Sequence, residues 1–219
     1  MCSNYRAPTD MDRMQRHFAV ALDQPPPQGE TWPLYRAPVV RLADDAGAPR
    51  DAALGQFGLL PHWAKEASLG RSTYNARSET AATKPSFRDA WRKGQRCIVP
   101  AEWIYEPCWE TGKAVRWRIA RADGAPLAIA GLWSRWHPPE GEPVVTFTML
   151  TVNADGHELM RRFHKPDDEK RMVVVLESDE IDGWLTAPAA TMAAWMRRCP
   201  AGRLVAEADP LPPRRRTTA

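Results

Sequence analysis

The chain has 219 residues, of which 43% are hydrophobic and 26% are charged, and its formal net charge is +3. This length and balance exclude a disordered chain and predict a globular protein of one or at most two domains. No apolar run approaches the roughly 20 residues of a membrane span, and the polar start predicts no secretory signal. Because the four cysteines are scattered and form no CxxC pair, we expect a reducing cytoplasm, no disulfide framework, no metal site and no cofactor.

The predicted elements begin with a helix from residue 9 to about 22, followed by a proline-rich loop over 24–33. Eight short runs rich in β-forming residues follow, at 38–42, 54–60, 96–99, 103–105, 115–119, 127–133, 144–152 and 172–176. Further helices are predicted at 86–93, 179–185 and 191–198. Many short strands with few helices predict an α+β fold, in which a strongly curved, barrel-like, mostly antiparallel sheet is flanked by a few helices. No linker divides the chain, so we expect one domain over 1–209 and a disordered basic tail over 210–219.

Cys2 is the most informative residue of the sequence. If Met1 is removed, as a small second residue permits, the chain begins with a cysteine that carries an α-amine and a thiol on neighbouring carbons. An α-amine has a reference pKa of about 7.8 and is partly unprotonated near neutral pH, unlike a lysine amine. An aldehyde would condense with this amine, and the sulfur would then close a five-membered thiazolidine ring.

The sequence contains several clusters of arginine and ten tryptophans. Arginine pairs with phosphates and aromatic faces stack on unpaired bases, so the combination is typical of proteins that bind single-stranded nucleic acid. Solvated surface charges and core tryptophans give the same composition, so composition alone leaves both interpretations open. The cationic clusters lie at Arg88, Arg92, Lys93 and Arg96, at Arg161, Arg162 and Lys165, and at Arg214, Arg215 and Arg216.

Two polar or aromatic segments have the residue types of a DNA-binding site. In the segment YNARSET at 74–80, Asn75 would hydrogen-bond an oxygen or a terminal amine, and Arg77 would bind a phosphate. Helix capping is the plainer explanation of this segment. Trp63 follows a proline turn and is a candidate for stacking on a base, although burial in the core is the commoner fate of tryptophan.

Two titratable residues are candidates for proton transfer. Glu106 ends a largely apolar strand, where a carboxylate is poorly solvated and suited to accept and return a proton. Glu102 competes for this role but precedes the strand. His164 lies among cations and would act as a base or bind a phosphate or hydroxyl group. A solvent-exposed residue without a role is an equally good interpretation of either one.

The order of these features resembles one protein family. The chain has Met1-Cys2 at its start, then YNARSET, then a strand that ends in Tyr105-Glu106, and then His164 with Arg171-Met172 before an apolar strand. This ordered set resembles the SOS response-associated peptidase (SRAP) family, the abasic-site processing proteins, from residue 1 to about 206.

The resemblance implies a protein that crosslinks its mature Cys2 to the ring-opened aldehyde of abasic sites in single-stranded DNA. Asn75 would hold the N-terminus and the opened sugar, and Glu106 would shuttle protons. His164 would contact the sugar hydroxyl or a phosphate and assist strand cleavage or crosslink release. The family name also implies self-removal of Met1, and we expect a monomer that associates with the nucleoid through DNA. The DNA contacts would come from Arg6, Trp63, Arg77, Arg162 and Arg171.

The sequence departs from the family pattern in four places. Ser3-Asn4 stand where Gly-Arg is usual, Pro107 replaces a tryptophan, and Val173 replaces a proline. Residues 165–170 lengthen the usual spacing between the histidine and the Arg-Met pair. These departures bear on DNA contacts more than on the covalent step, because Cys2 and its proposed helpers are all present.

Two other functions remain open from the residues alone. An N-terminal-nucleophile amidohydrolase, such as a glutamine amidotransferase domain, also begins with Met-Cys and uses the thiol against an amide. The glycine-rich oxyanion loops of such domains are not evident in this sequence. The second alternative is a non-catalytic single-stranded DNA binder in which Cys2 is incidental.

Overall fold

The computed structural model describes residues 2–22, 25–27, 29–44 and 49–211, and within them the chain forms two sheets with short helices. The α-helices are α1 Met11–Phe18, α2 Ser78–Ala81, α3 Arg88–Arg92 and α4 Ile181–Thr186. The strands of the first half are β1 Asn4–Arg6, β2 Glu30–Thr31, β3 Arg36–Leu42, β4 Arg50–Phe57, β5 Asn75–Arg77 and β6 Arg96–Ala101. Those of the second half are β7 Trp103–Cys108, β8 Val115–Arg121, β9 Leu127–Trp136, β10 Val144–Asn153, β11 Arg171–Val173, β12 Val175–Leu176 and β13 Leu204–Ala208.

The larger sheet closes on itself. Its strand order is β11-β10-β4-β3-β6-β9-β12, and β9 and β10 also pair with each other, so β10, β4, β3, β6 and β9 form a five-stranded barrel. The β10–β4 and β10–β5 pairs are parallel, and the other strand pairs are antiparallel. The predicted α+β class with a barrel-like, mostly antiparallel sheet is confirmed.

Closure of the barrel depends on dense packing and on one close backbone approach. Phe57 and Phe147, both fully buried, stack with their ring centroids 5.5 Å apart between the parallel strands β4 and β10. A Cβ atom on Gly131 would lie 2.5 Å from the carbonyl oxygen of Thr148, so a side chain at this position of β9 would push it away from β10.

The smaller sheet includes β1, the strand that directly follows the buried Cys2. Its order is β13-β8-β7-β1-β2, with every pair antiparallel, and Asn4 of β1 is opposite Tyr105 of β7. Pairing with β7 therefore places Cys2 beside the strand that carries Glu106. In the larger sheet, β5 pairs with β10 so that Asn75 is opposite Met149.

Several predicted boundaries are wrong for local reasons. The first helix ends at Phe18 rather than near residue 22, because Ala19 adopts a left-handed conformation with φ 55°, and Asp10 rather than Thr9 caps its start. The strand predicted at 54–60 begins at Arg50 and ends at Phe57. The helix predicted at 191–198 is a 3₁₀ helix over Ala189–Trp195, and the run at 172–176 is divided into β11 and β12. Most of the predicted tail, residues 212–219, lies outside the described residues.

None of the helices in the described ranges has an apolar stretch long enough to cross a membrane.

We expect Gly58→Ala to destabilise the fold strongly. Gly58 has φ 114°, and an added Cβ would lie 2.3 Å from the carbonyl oxygen of Gly70, a backbone atom that cannot move aside cheaply. Strain and clash together should cost more than about 3 kcal/mol in the free energy of unfolding. Gly124→Ala is the matched control, since Gly124 has φ 74° with nothing within 4 Å, and it should cost only about 1 to 2 kcal/mol. Equal losses in urea denaturation would contradict the role of Gly58.

Candidate active site

Cys2 is buried at the entry to β1, with 1% of its surface exposed. Its Sγ donates a hydrogen bond to the carbonyl oxygen of Asn4, at 3.2 Å. Asn4, at the departure from the family pattern, is itself buried and donates from Nδ2 to Glu30 Oε1 at 2.8 Å. The residues that follow Cys2 are thus fixed in the smaller sheet.

Asn75 ties the second sheet to the N-terminal residue. It is the first residue of β5, and its Nδ2 donates to the carbonyl oxygen of Cys2 at 2.7 Å. Its Oδ1 is buried and accepts no hydrogen bond from the residues that the structure describes. A buried amide oxygen of this kind is available to a donor supplied by a ligand.

Glu106 and His164 form a buried pair. The Oε2 atom of Glu106 lies 3.2 Å from Nε2 of His164, with side-chain exposures of 2% and 8%. His164 has a left-handed backbone, φ 63°, and its N–H donates to the carbonyl oxygen of Pro107 at 3.0 Å. A left-handed histidine is uncommon and costs free energy, so the contacts around it must hold it in place. Cys108 and Phe163, which form a β-bridge, supply one such contact.

The Cys2 thiol lies in the electrostatic field of this pair. Burial raises the pKa of the Cys2 thiol well above its ordinary range, and the negative charge of Glu106 raises it further. The thiol is therefore protonated at neutral pH and must lose its proton to a nearby base before the sulfur attacks.

Tyr74, the residue before Asn75, lies in the electrostatic field of Cys2 and Glu106. Burial raises the pKa of its phenol, and Cys2 and Glu106 raise it further. Its only sequence signal was its position next to Asn75.

The competing carboxylate, Glu102, lies elsewhere. Its Oε1 accepts from Nε of Arg13 at 2.9 Å, and its charge is used in that ion pair.

Three of the residues predicted to contact DNA have accessible side chains. Trp63 is 46% exposed. Arg77 is half exposed, and its Nη1 lies 2.8 Å from Glu169 Oε2. Arg162 donates to both oxygens of Glu110, at 2.8 and 3.0 Å, and its guanidinium lies 4.5 Å from the ring centroid of Trp117.

The other two arginines differ in their burial. Arg171 is only 2% exposed, pairs with Glu79 at 2.8 Å and Glu169 at 2.6 Å, and also donates to Thr151. Little of its surface is open to a phosphate, and its placement favours a structural role. Arg6 is half-buried, and its guanidinium fills the space beside Gly29.

A metal site is not evident in the described ranges, where no three His, Cys, Asp or Glu side chains come together to hold an ion.

The sequence over residues 1–208 matches the family model of the SOS response associated peptidase (SRAP). The chain belongs to the SRAP family. The abasic site processing protein YoqW of Bacillus subtilis (strain 168) is 34% identical over 192 residues, which cover 84% of this chain and 80% of YoqW. The abasic site processing protein HMCES of Gallus gallus is 31% identical over 159 residues, 59% of this chain and 44% of HMCES. The predicted family membership is confirmed.

Solved structures agree with the fold. A crystal structure of a protein from Bordetella bronchiseptica has a TM-score of 0.88 and 44% identity, covering 96% of this chain and all (100%) of that one. A crystal structure of a protein from Bacteroides thetaiotaomicron has a TM-score of 0.80, covering 94% of this chain and 91% of that one. At 22% identity, the second likeness supports the SRAP fold alone.

The raised thiol pKa predicts slow, pH-dependent alkylation of Cys2. With a raised pKa the thiolate forms only at high pH, so the reaction with iodoacetamide should keep accelerating above pH 9, where a cysteine in an unfolded peptide is already levelling off. At pH 8 we expect a rate at least about tenfold below that of the peptide. Glu106→Gln removes a negative charge and should raise the rate. Peptide mapping by mass spectrometry measures it, and a wild-type rate equal to that of the peptide would contradict the burial of the thiol.

Proposed function

We propose that this chain is an abasic-site processing protein that links its mature Cys2 covalently to abasic sites in single-stranded DNA through a thiazolidine ring. The observation that carries this proposal is the grouping of Cys2 with Asn75, Glu106 and His164, drawn from both sheets to one buried point. The names of the relatives YoqW and HMCES, both abasic site processing proteins, support the same substrate.

The chemistry needs two bonds at one aldehyde carbon. The α-amine of mature Cys2 attacks the ring-opened sugar aldehyde, and loss of one water gives an imine. The thiol then transfers its proton to Glu106, and the sulfur adds to the imine carbon. The imine nitrogen takes up a proton, so the product contains protein and DNA less one water, with no net oxidation.

Each helper has its own role in this reaction. The Asn75 amide fixes the Cys2 carbonyl, so that the amine and thiol approach the aldehyde from a defined direction. Glu106 exchanges protons with the thiol and with the carbinolamine. His164, at 3.2 Å from Glu106, exchanges protons with it and contacts the hydroxyl or phosphate of the opened sugar. The same pair would promote reversal of the crosslink or cleavage of the DNA strand by elimination.

Three accessible side chains would hold the strand. Arg77 and Arg162 would neutralise phosphates, and Trp63 would stack on an unpaired base. Such contacts suit a single strand, because stacking on a tryptophan needs a base freed from its partner.

Removal of Met1 precedes the covalent step, since a peptide-bonded nitrogen cannot form the imine. We propose hydrolysis of the Met1–Cys2 bond either by a cellular aminopeptidase or by the protein itself, with Cys2 as the nucleophile.

Crosslinking should depend on both nucleophiles of Cys2. We expect mature wild-type protein and an abasic single-stranded oligonucleotide to give a heat-stable band on a denaturing gel. Cys2→Ala should abolish this stable adduct, because the remaining amine yields only a reversible imine. An uncleavable N-terminal extension should abolish it as well, because it blocks the amine and leaves the thiol. A heat-stable adduct in either variant would contradict the thiazolidine.

Glu106→Gln should slow crosslinking by about 10²- to 10⁴-fold while leaving DNA affinity within about twofold, because the thiol loses its proton acceptor. Glu102→Gln is the matched control, since Glu102 pairs with Arg13 away from the thiol, and it should change the rate less than about twofold. Single-turnover gel kinetics and fluorescence anisotropy measure the two quantities. A parallel loss of rate and affinity in Glu106→Gln would argue against proton transfer.

The alternatives give different results in the same assays. Glutamine hydrolysis by mature protein without DNA adducts would favour the amidohydrolase. DNA binding that Cys2→Ala leaves unchanged, with no adduct from wild type, would favour a non-catalytic binder.

A further inference from the structure

The segment 165–170, which lengthens the family spacing, brings a carboxylate onto an arginine assigned to DNA by the proposed function. Glu169 bridges two guanidinium groups, with Oε2 at 2.8 Å from Nη1 of Arg77 and Oε1 at 2.6 Å from Nη1 of Arg171. Asn153 holds the same carboxylate through Nδ2 at 3.2 Å. Glu169 is therefore positioned by several contacts and does not sample solvent freely.

The two arginines on Glu169 differ in what else they contact. Arg171 is buried and has a second carboxylate, Glu79, together with the oxygens of Thr151. Arg77 is half exposed, and among the described residues its one ion pair is with Glu169. Without Glu169, Arg171 would keep its main partners, whereas Arg77 would present its full charge to solvent.

We propose that Glu169 is a built-in competitor of DNA, a carboxylate that occupies the edge of Arg77 at which a phosphate of the strand binds. Carboxylates and phosphates bind a guanidinium through the same N–H donors and in the same plane, so one displaces the other. The proposal rests on the proposed function, because it requires Arg77 to contact DNA. It makes Glu169 a residue that sets the affinity for DNA.

The competition has a signature in the salt dependence of binding. A phosphate neutralised by a free arginine releases its counterion, which contributes about 0.7 to the salt slope for a single strand. When Arg77 exchanges Glu169 for a phosphate, the released carboxylate takes up a cation and offsets that contribution. Since exposed ion pairs are weak, the competitor should tune binding by a few-fold rather than block it.

The test compares two variants that each remove one carboxylate from Arg171. The probe is a single-stranded oligonucleotide with a tetrahydrofuran abasic analogue, which has no aldehyde, so only reversible binding is measured. At 50 mM salt we expect Glu169→Gln to lower the Kd about 3- to 10-fold and to steepen the salt slope by up to about 0.7. Glu79→Gln, the matched control, removes an equal charge that pairs with Nη2 of Arg171 and not with Arg77, and it should change the Kd less than about twofold.

The dependence on Arg77 is checked in a double variant. In an Arg77→Gln background, Glu169→Gln should leave the Kd unchanged. If Glu169→Gln is unstable to heat, Glu169→Asp takes its place. It keeps the charge but shortens the reach to Arg77, so an intermediate gain in DNA affinity is expected. Equal effects of Glu169→Gln and Glu79→Gln, or a gain that persists without Arg77, would overturn the proposal. If wild-type protein still crosslinks abasic DNA, such a result overturns only the role of Glu169. If wild-type protein neither binds nor crosslinks DNA, the proposed function itself is overturned.

Discussion

The pairing of β1 with β7 is the constraint on which the site depends. Three residues of β1 align with three of β7, and this short ladder holds Cys2 in the interior. Cys2 thereby loses its solvent and lies beside the strand that holds Glu106. The Asn75 amide then joins Cys2 to β5 of the other sheet, so both sheets must be in place before the site exists. A nucleophile at a chain terminus, where fraying is usual, is in this way held as firmly as one within a strand.

Burial sets the reactivity of this centre. A protonated thiol is a poor nucleophile, and a buried carboxylate beside it makes ionisation harder still. In the proposed reaction the same carboxylate accepts the thiol proton, which would couple ionisation to attack. We infer that the arrangement protects Cys2 from ordinary alkylation and oxidation and directs it to an electrophile that the amine has already bound. The left-handed backbone at His164 fits this view, since strain of this kind persists where neighbouring contacts hold it and is common at functional sites.

Sequence patterns predicted the barrel better than they predicted the elements that build the site. The long strand β9 carries a continuous apolar run over 127–133, and β10 is a long run of apolar residues and threonines, as burial on both faces favours. By contrast, β1 and β5 have three residues each, too few for a period to be read, and their partners lie far away in sequence. The choice of Glu106 over Glu102 followed from its place in an apolar strand. The partner of Arg171 could not be predicted, because Glu79 lies far from it in sequence and an arginine has the same local signature whether it faces DNA or a carboxylate of the fold. The same limit concealed Glu169 on Arg77, a contact made by the segment 165–170.

The central claim is that Cys2, freed of Met1, joins DNA through both its nitrogen and its sulfur. Its most direct test is tandem mass spectrometry of the N-terminal peptide from natively expressed protein, before and after incubation with an abasic single-stranded oligonucleotide. The account predicts a peptide that begins at Cys2 and, after incubation and nuclease digestion, carries the sugar remnant less one water, with neither a free amine nor a free thiol. A peptide that retains Met1 while the adduct forms, or an adduct on any other residue, would contradict it.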